Sequence, residues 1–246
     1  MKAFQKTDTI IHLAGTGIAD GRWTEKRKKE IIDSRVKSAD LIFETLKANA
    51  HHVKTFISAS AIGIYGDCKD EWIDETYPAA PDFLGETCKV WEAAANKFST
   101  LGIRVVIFRI GIILAKDEGA LPQMARPVKL FAGSPLGSGK QFMSWIHVTD
   151  LCRVFLKAVE EERMTGVYNA VAPNPVTHRE FIKSLTKVLH RLFIPIPVPA
   201  FILRLILGEK AKIVLDGQRV SSKKIRDTGF RFQFEKAEDA LKNIFH

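Results

Sequence analysis

The sequence predicts an α/β fold: a parallel sheet flanked by helices, followed by a smaller, mainly helical C-terminal lobe. Three observations carry this expectation. Short runs rich in β-branched residues alternate with longer helical patterns, at 9–14 and 26–47, then 53–58 and 88–101, then 103–109. The run Val105-Val106-Ile107-Phe108 is apolar without alternation, as when helices cover both faces of a parallel sheet. From residue 176 onward the pattern turns to two or three helical stretches. A division at 1–175 and 176–246 follows.

The first strand closes on Leu13, Ala14 and Gly15. At the C-terminal end of a parallel strand such small residues let a flat ligand approach the backbone. The helix at 26–47 spaces Ile31, Ile32, Val36, Ile42 and Leu46 near a 3.6-residue repeat, with charges between them. The next strand runs into Ser58-Ala59-Ser60-Ala61-Ile62-Gly63-Ile64-Tyr65-Gly66, again at the end where open α/β sheets bind ligands. A serine hydroxyl there can donate to a substrate carbonyl or alkoxide, or satisfy the local backbone instead.

After residue 114 the pattern changes to Gly- and Pro-punctuated loops, up to a helix at 148–159. The segment 133–139, GSPLGSG, lacks the Lys-Ser/Thr ending and following helix of a phosphate loop. Thr177 and Glu180 have the spacing of a capping box. The most apolar stretch, 192–208, contains Pro195, Pro197, Pro199 and Arg204. It falls short of the roughly 20 uninterrupted apolar residues a membrane span needs and reads as a loop entering a buried helix.

A net charge of +9 permits an anionic partner without choosing one. The basic bunches at 26–29 and 223–226 read as solvated helix faces, and no nucleic-acid-binding module accompanies them, so no nucleic acid is expected. Cys68, Cys88 and Cys152 are odd in number and widely spaced, which suits reduced thiols and argues against a metal site. Residues 1–9 lack an apolar core of signal-peptide length. A cytoplasmic protein without a membrane anchor is expected.

Several segments occur in a particular order: IIHLAG, Arg22-Trp23-Thr24 leading to Asp33-Ser34-Arg35, SASAIGIYGD, FRIGIIL, SWIHVTD, then LILGEKAKIVLDGQRV and Thr228-Gly229-Phe230-Arg231-Phe232. In that order the chain resembles, over nearly its whole length, the epimerase-family proteins. These are atypical extended short-chain dehydrogenase/reductases of the NAD-dependent epimerase/dehydratase class, with a C-terminal domain of unknown function. The resemblance implies a Rossmann-type sheet binding NAD or NADP, a lobe closing over a small-molecule substrate, and Ser60 polarising the reacting oxygen. It further implies Lys89 as the lysine of a Y-x-x-x-K pair, with Gly85 standing where the tyrosine belongs. Ser60 and Lys89 are thus the expected catalytic residues. Leu13, Ala14, Gly15, Ser58, Lys89 and Arg109 are the expected cofactor contacts, and Tyr65, Trp145 and His147 the substrate side. Tyr65 could stand in for the missing tyrosine or simply pack in its turn. His147 could face the pocket or make only a structural hydrogen bond.

The resemblance also implies a G-x-x-G-x-x-G turn cradling the cofactor pyrophosphate, and none occurs in this sequence. Met1 precedes what resembles the fourth strand, so the first βαβ unit is expected to be lacking. Weak binding of NAD or NADP, weaker than about millimolar, is the consequence expected, together with exposed apolar surface and a homodimer that hides it. Two functional readings stand. One is NAD(P)-dependent epimerase, dehydratase or reductase activity on a nucleotide-sugar-like or other polar carbonyl or alcohol compound. The other is a catalytically inactive binding or scaffold protein.

Overall fold

The computed structural model describes residues 4–130 and 133–246. In chain order the strands are β1 (Thr9–His12), β2 (Thr55–Ala61), β3 (Trp72–Ile73), β4 (Arg104–Ile110), β5 (Ile112–Leu114), β6 (Phe142–Met143), β7 (Trp145–His147), β8 (Gly166–Ala170), β9 (Val176–Thr177) and β10 (Arg219–Val220). The α-helices are α1 (Glu25–Lys47), α2 (Phe83–Asn96), α3 (Ala120–Lys129), α4 (Val148–Glu160), α5 (His178–Val188), α6 (Ala200–Leu207), α7 (Lys212–Leu215), α8 (Lys223–Asp227) and α9 (Ala237–Phe245).

β1, β2, β4 and β8 form a parallel sheet in that order, the Rossmann-like core that the alternation of strands and helices predicts. Its two faces are packed differently. Phe56, Val105 and Ile107 pack with Ala39 and Leu46 of α1 and Ala94 and Ala95 of α2. Ile57, Val106 and Phe108 pack with Leu151, Val154 and Phe155 of α4. Burial on both faces explains why β4 reads as an unbroken apolar run. Among the described residues β1 pairs only with β2, so it lies at an edge; Ile11 is 45% exposed there.

Several boundaries depart from the sequence reading. α2 begins at Phe83 rather than at 88, because the Asp82 carboxylate caps it by accepting from the Gly85 amide at 3.0 Å. The helix α3 occupies part of the stretch read as loop; Pro122 falls in its first turn, where a missing N–H costs little, and Pro127 lies inside it. Leu121, Ala125 and Val128 of α3 join Trp145, Phe181, Leu185 and Leu241 in a second core, so residues on both sides of position 175 share it. The capping box at α5 is present, with Thr177 Oγ1 accepting from the Glu180 amide at 3.2 Å and Glu180 Oε2 accepting from the Thr177 amide at 2.8 Å. α6 forms but is not enclosed, since Leu203 is its one buried residue. Among the described residues no helix is long and apolar enough to cross a membrane.

Candidate functional site

The register of the sheet sets Ser60 of β2 beside Arg109 of β4, and Arg109 beside Asn169 of β8. All three lie near the C-terminal ends of their strands. Ser60 shares the parity of Phe56, and Arg109 that of Val105 and Ile107, so the row faces α2. From α2, Glu92 comes down onto it. Its carboxylate accepts from Arg109 Nε and Nη2, both at 2.9 Å, and from the Ser60 hydroxyl at 2.7 Å. A two-pronged ion pair of this kind holds both planes in register.

The remaining prong of Arg109, Nη1, donates to the Tyr65 hydroxyl and to the Glu75 carbonyl, each at 3.0 Å. Tyr65 in turn donates to Asn169 Oδ1 at 2.6 Å, and the Asn169 amide donates to Glu75 Oε1 at 2.7 Å. Ser60, Glu92, Arg109, Tyr65 and Asn169 are all buried. Burial pushes the Tyr65 phenol up to about 12, against the opposing pull of Arg109. Burial disfavours the Arg109 charge, but the hydrogen bonds and charge of Glu92 outweigh it and raise the guanidinium further. Chemically, the proton of the Ser60 hydroxyl is held by Glu92. Tyr65 keeps its proton at neutral pH.

The expected catalytic pair is not brought together. With α2 starting at Phe83, Cys88, Trp91, Glu92 and Ala95 form its buried face. Lys89 is turned outward, with 52% of its side chain exposed and Nζ donating to Glu86 Oε1 at 2.9 Å. Ser60 therefore meets a carboxylate where a lysine is expected. Gly85 is required where it stands, because a Cβ there would run into the Ala80 carbonyl. No tyrosine fits that position.

The cofactor and substrate sets also divide. Leu13, Ala14 and Gly15 are exposed at the end of β1, Leu13 by 62%. A Cβ on Gly15 would meet the Arg35 side chain. Ser58 is wholly buried and donates to the Ala59 carbonyl at 3.0 Å, which removes its hydroxyl from any ligand. Arg109 is spent on the network just described. Trp145 is fully buried in the second core and donates to the Asn174 carbonyl at 3.1 Å; it is a core residue, not a pocket wall. His147 is buried as well. Its Nδ1 caps α4 by accepting from the Thr149 amide at 3.1 Å, its ring stacks on Phe234 at 4.0 Å, and burial lowers its pKa. The structural hydrogen bond is the alternative the geometry supports.

A nicotinamide dinucleotide fits these residues in one respect and not in another. The shelf at 13–15 is open to a flat ring. For the pyrophosphate, the glycine-rich loop at 133–139 is a poor substitute, because three of its amides are engaged: Leu136 N–H with His178 Nδ1, Gly137 N–H with the Val198 carbonyl, and Gly139 N–H with the Leu136 carbonyl. Free amides are what an anion nest requires.

Glu92, Asn169 and Glu75 escaped the sequence reading. A signal existed for the first. Glu92 is a carboxylate on an otherwise apolar helix face, Arg109 is a cation within an apolar strand, and two such charges can be buried only against each other.

Comparison with known proteins places this geometry. The profile of the NAD dependent epimerase/dehydratase family matches residues 1–170, and that of a domain of unknown function (DUF1731) matches residues 198–244. The chain is 38% identical over 244 residues to the chloroplastic epimerase family protein SDR39U1 homolog of Arabidopsis thaliana, covering 98% of this chain and 69% of that protein. It is 39% identical over 238 residues to epimerase family protein YfhF of Bacillus subtilis, covering 96% and 78%. The crystal structure of human epimerase family protein SDR39U1 (isoform 2) with NADPH superimposes with a TM-score of 0.89 at 30% identity, covering 97% of this chain and 82% of that one. Sequence, fold and C-terminal domain agree: the chain belongs to the NAD-dependent epimerase/dehydratase family.

Proposed function

We propose that this protein is an NAD(P)-dependent epimerase, dehydratase or reductase acting on a carbonyl or alcohol of a polar compound such as a nucleotide sugar. The observation that carries the reading is the polar row Ser60, Arg109 and Asn169 at the C-terminal ends of three parallel strands, where open α/β sheets bind ligands. The NADPH held by the human relative supports a nicotinamide cofactor. Such a cofactor, when bound beside Leu13–Gly15, supplies or accepts hydride. The chain's own part is positional. Arg109 fixes Glu92, Glu92 holds the Ser60 proton, and Ser60 is left to accept a hydrogen bond from a substrate hydroxyl. Ser60→Ala lowers kcat about a hundredfold or more with the fold intact. An unchanged kcat places the chemistry elsewhere.

Lys89 belongs to the same proposal only as a contact reached from the surface, and Lys89→Ala tests it alongside Ser60. Since the sequence carries no G-x-x-G-x-x-G turn, NADPH titrated calorimetrically into this chain binds more weakly than about 1 mM. Micromolar binding contradicts that expectation. A cytoplasmic setting and pairing with a second copy are part of the proposal too.

A second reading, a binding or scaffold protein without turnover, is favoured by one observation. The donors a substrate would need are already engaged: Ser60's proton by Glu92, Arg109's prongs by Glu92, Tyr65 and Glu75, and Lys89 by Glu86. A chain that binds NADPH and oxidises or reduces no member of a carbonyl and alcohol panel is of this second kind.

A further inference from the structure

Several cations around the strand ends are committed to partners. Glu92 takes Arg109 and Glu86 takes Lys89, each at 2.9 Å. The strap that follows α6 engages more of them: Glu209 pairs with Lys28 at 2.8 Å, Lys210 Nζ donates to the Ala19 carbonyl at 2.8 Å, and Lys212 pairs with Asp82 at 2.9 Å. Arg35 of α1 is different. It is half-buried, and among the described residues it makes no ion pair. Its Nη1 donates to the Ile31 carbonyl at 2.9 Å and its Nη2 to the Thr16 carbonyl at 3.2 Å, and a guanidinium has more N–H groups than these two carbonyls take. Burial pushes its pKa down, Cys88 counters that, and the neighbouring charge of Arg27 adds to it. A cation drawn out of water without an anion is costly, and a bound anion removes that cost.

Its surroundings make a site of this charge. Arg35 Cζ lies 4.9 Å from the ring centroid of Trp91, a residue of the buried face of α2. Trp91 is 7% exposed, and its Nε1–H is buried with no acceptor among the described residues. A buried donor left unmade is a standing cost that an oxyanion on the same ring can relieve. The guanidinium also lies against the backbone of Gly15, where a Cβ would stand 2.9 Å from its Cζ. Gly15 is exposed together with Leu13 and Ala14, so a ligand on the shelf at 13–15 passes beside Arg35. Cys88 connects this place to the polar row: its thiol interacts with Ser60 and Glu92 and also feels the charge of Arg35. Arg35 and the Ser60 hydroxyl are thus within the span of one small molecule.

We propose that the Arg35 guanidinium and the Trp91 Nε1–H form an oxyanion subsite beside Ser60, which takes a carboxylate or phosphate carried by the substrate. The stacked ring holds the guanidinium plane, and the two donors supply one charged and one neutral hydrogen bond. The proposal rests on the reading of the strand ends as the reacting site and narrows its substrate to an acid, one whose anionic group lies close to the reacting carbonyl or alcohol.

The test is the thermal midpoint of the full chain in sodium phosphate and in sodium malonate, each read against sodium chloride of equal ionic strength. At least one of the two anions is expected to raise the midpoint saturably, since a ligand bound to the folded state alone stabilises it. Arg35→Met weakens the apparent affinity about tenfold or more, as loss of a charge-assisted hydrogen bond does, and Arg35→Lys restores part of it. Trp91→Phe keeps the stacked ring and deletes only the N–H, so it weakens binding about threefold. This second variant decides the matter where Arg35→Met does not unfold cooperatively in urea. A midpoint that neither anion raises beyond chloride, or a rise that Arg35→Met and Trp91→Phe leave unchanged, overturns the proposal. So does an NADPH affinity that falls in Arg35→Met together with the anion affinity, which assigns the subsite to the cofactor. Anion binding lost in Arg35→Met, without turnover of a panel of hydroxy and oxo acids with NADP or NADPH, sustains the subsite and defeats the catalytic reading, so the two failures are distinguishable.

Discussion

Glu92 and Arg109 are each tolerable in the interior only because the other is present. Glu92→Ala leaves a buried guanidinium facing Ser60 and Tyr65 with no anion, and removing one partner of a buried pair costs about 3–5 kcal/mol. Urea unfolding measures this, and a loss under about 1 kcal/mol would mean that water reaches the pair. His178 makes a different kind of prediction. It is 3% exposed, its Nδ1 accepts from the Leu136 amide at 3.2 Å, and burial pushes it from 6.5 down to about 4. The folded state therefore resists a proton that the unfolded chain takes up near 6.5. Its stabilisation is fully present above that pH and is lost as pH falls through 6.5 toward about 4, on the order of 3 kcal/mol in all. Burial lowers His12 and His147 as well, so both act in the same direction. His178→Gln keeps an acceptor but cannot titrate, and its urea midpoint should change less between pH 7 and pH 5 than the parent's. Equal changes would acquit His178.

At the scale of elements, caps decide where helices begin, and here they also decide what faces the site. Asp82 starts α2 at Phe83, and that phase turns Glu92 inward and Lys89 outward. The same carboxylate receives Lys212 from the strap that follows α6. Burial raises the Asp82 pKa, but the Gly85 amide and Lys212 more than offset this and leave it lowered. Asp82→Ala should cost about 0.5–2 kcal/mol through the lost cap, and it should loosen the strap besides. Faster amide exchange at 212–215 would report the second effect, and its absence would show that the Glu209 and Lys210 ties suffice. In α5 the capping box makes a simpler case. Thr177→Ala is expected to cost about 1 kcal/mol, read as a shift in thermal midpoint.

Taken as a whole molecule, the protein exposes apolar side chains at several places among the described residues, the β1 edge with Ile11 and the α6 face with Phe201 and Leu205 among them. An open strand edge pairs readily with another chain. Association that rises with concentration is therefore expected, and Ile11→Lys should reduce it, because a charge on an edge strand opposes pairing. Sedimentation at two concentrations checks this. A parent that stays monomeric at both would show that the edge is protected. Within the chain α1 and α2 pack on each other, with Lys97 paired to Asp40 at 2.6 Å, which leaves Leu41 and Val90 as their exposed apolar residues.

The sequence by itself determined the architecture, since alternating β-branched runs and amphipathic stretches admit few packings other than a parallel sheet between helices. It also carried the order of motifs that marks the family, and the cap at Thr177. Local chemistry suffices for these because period and capping act within a few residues. The contents of the site were decided only in three dimensions. Ser60 and Arg109 were legible as polar residues on strands, but their common partner Glu92 lies 32 and 17 positions away, and Asn169 joins through Tyr65 across 104. Strand register and the phase of α2 set those meetings. Trp145 and His147 are buried in packing for a related reason: motif position places a residue near a strand end, but packing against α9 and Phe234 decides its surroundings. α6 was legible as an apolar helix, and its exposure was not, because burial depends on what the rest of the chain brings to it.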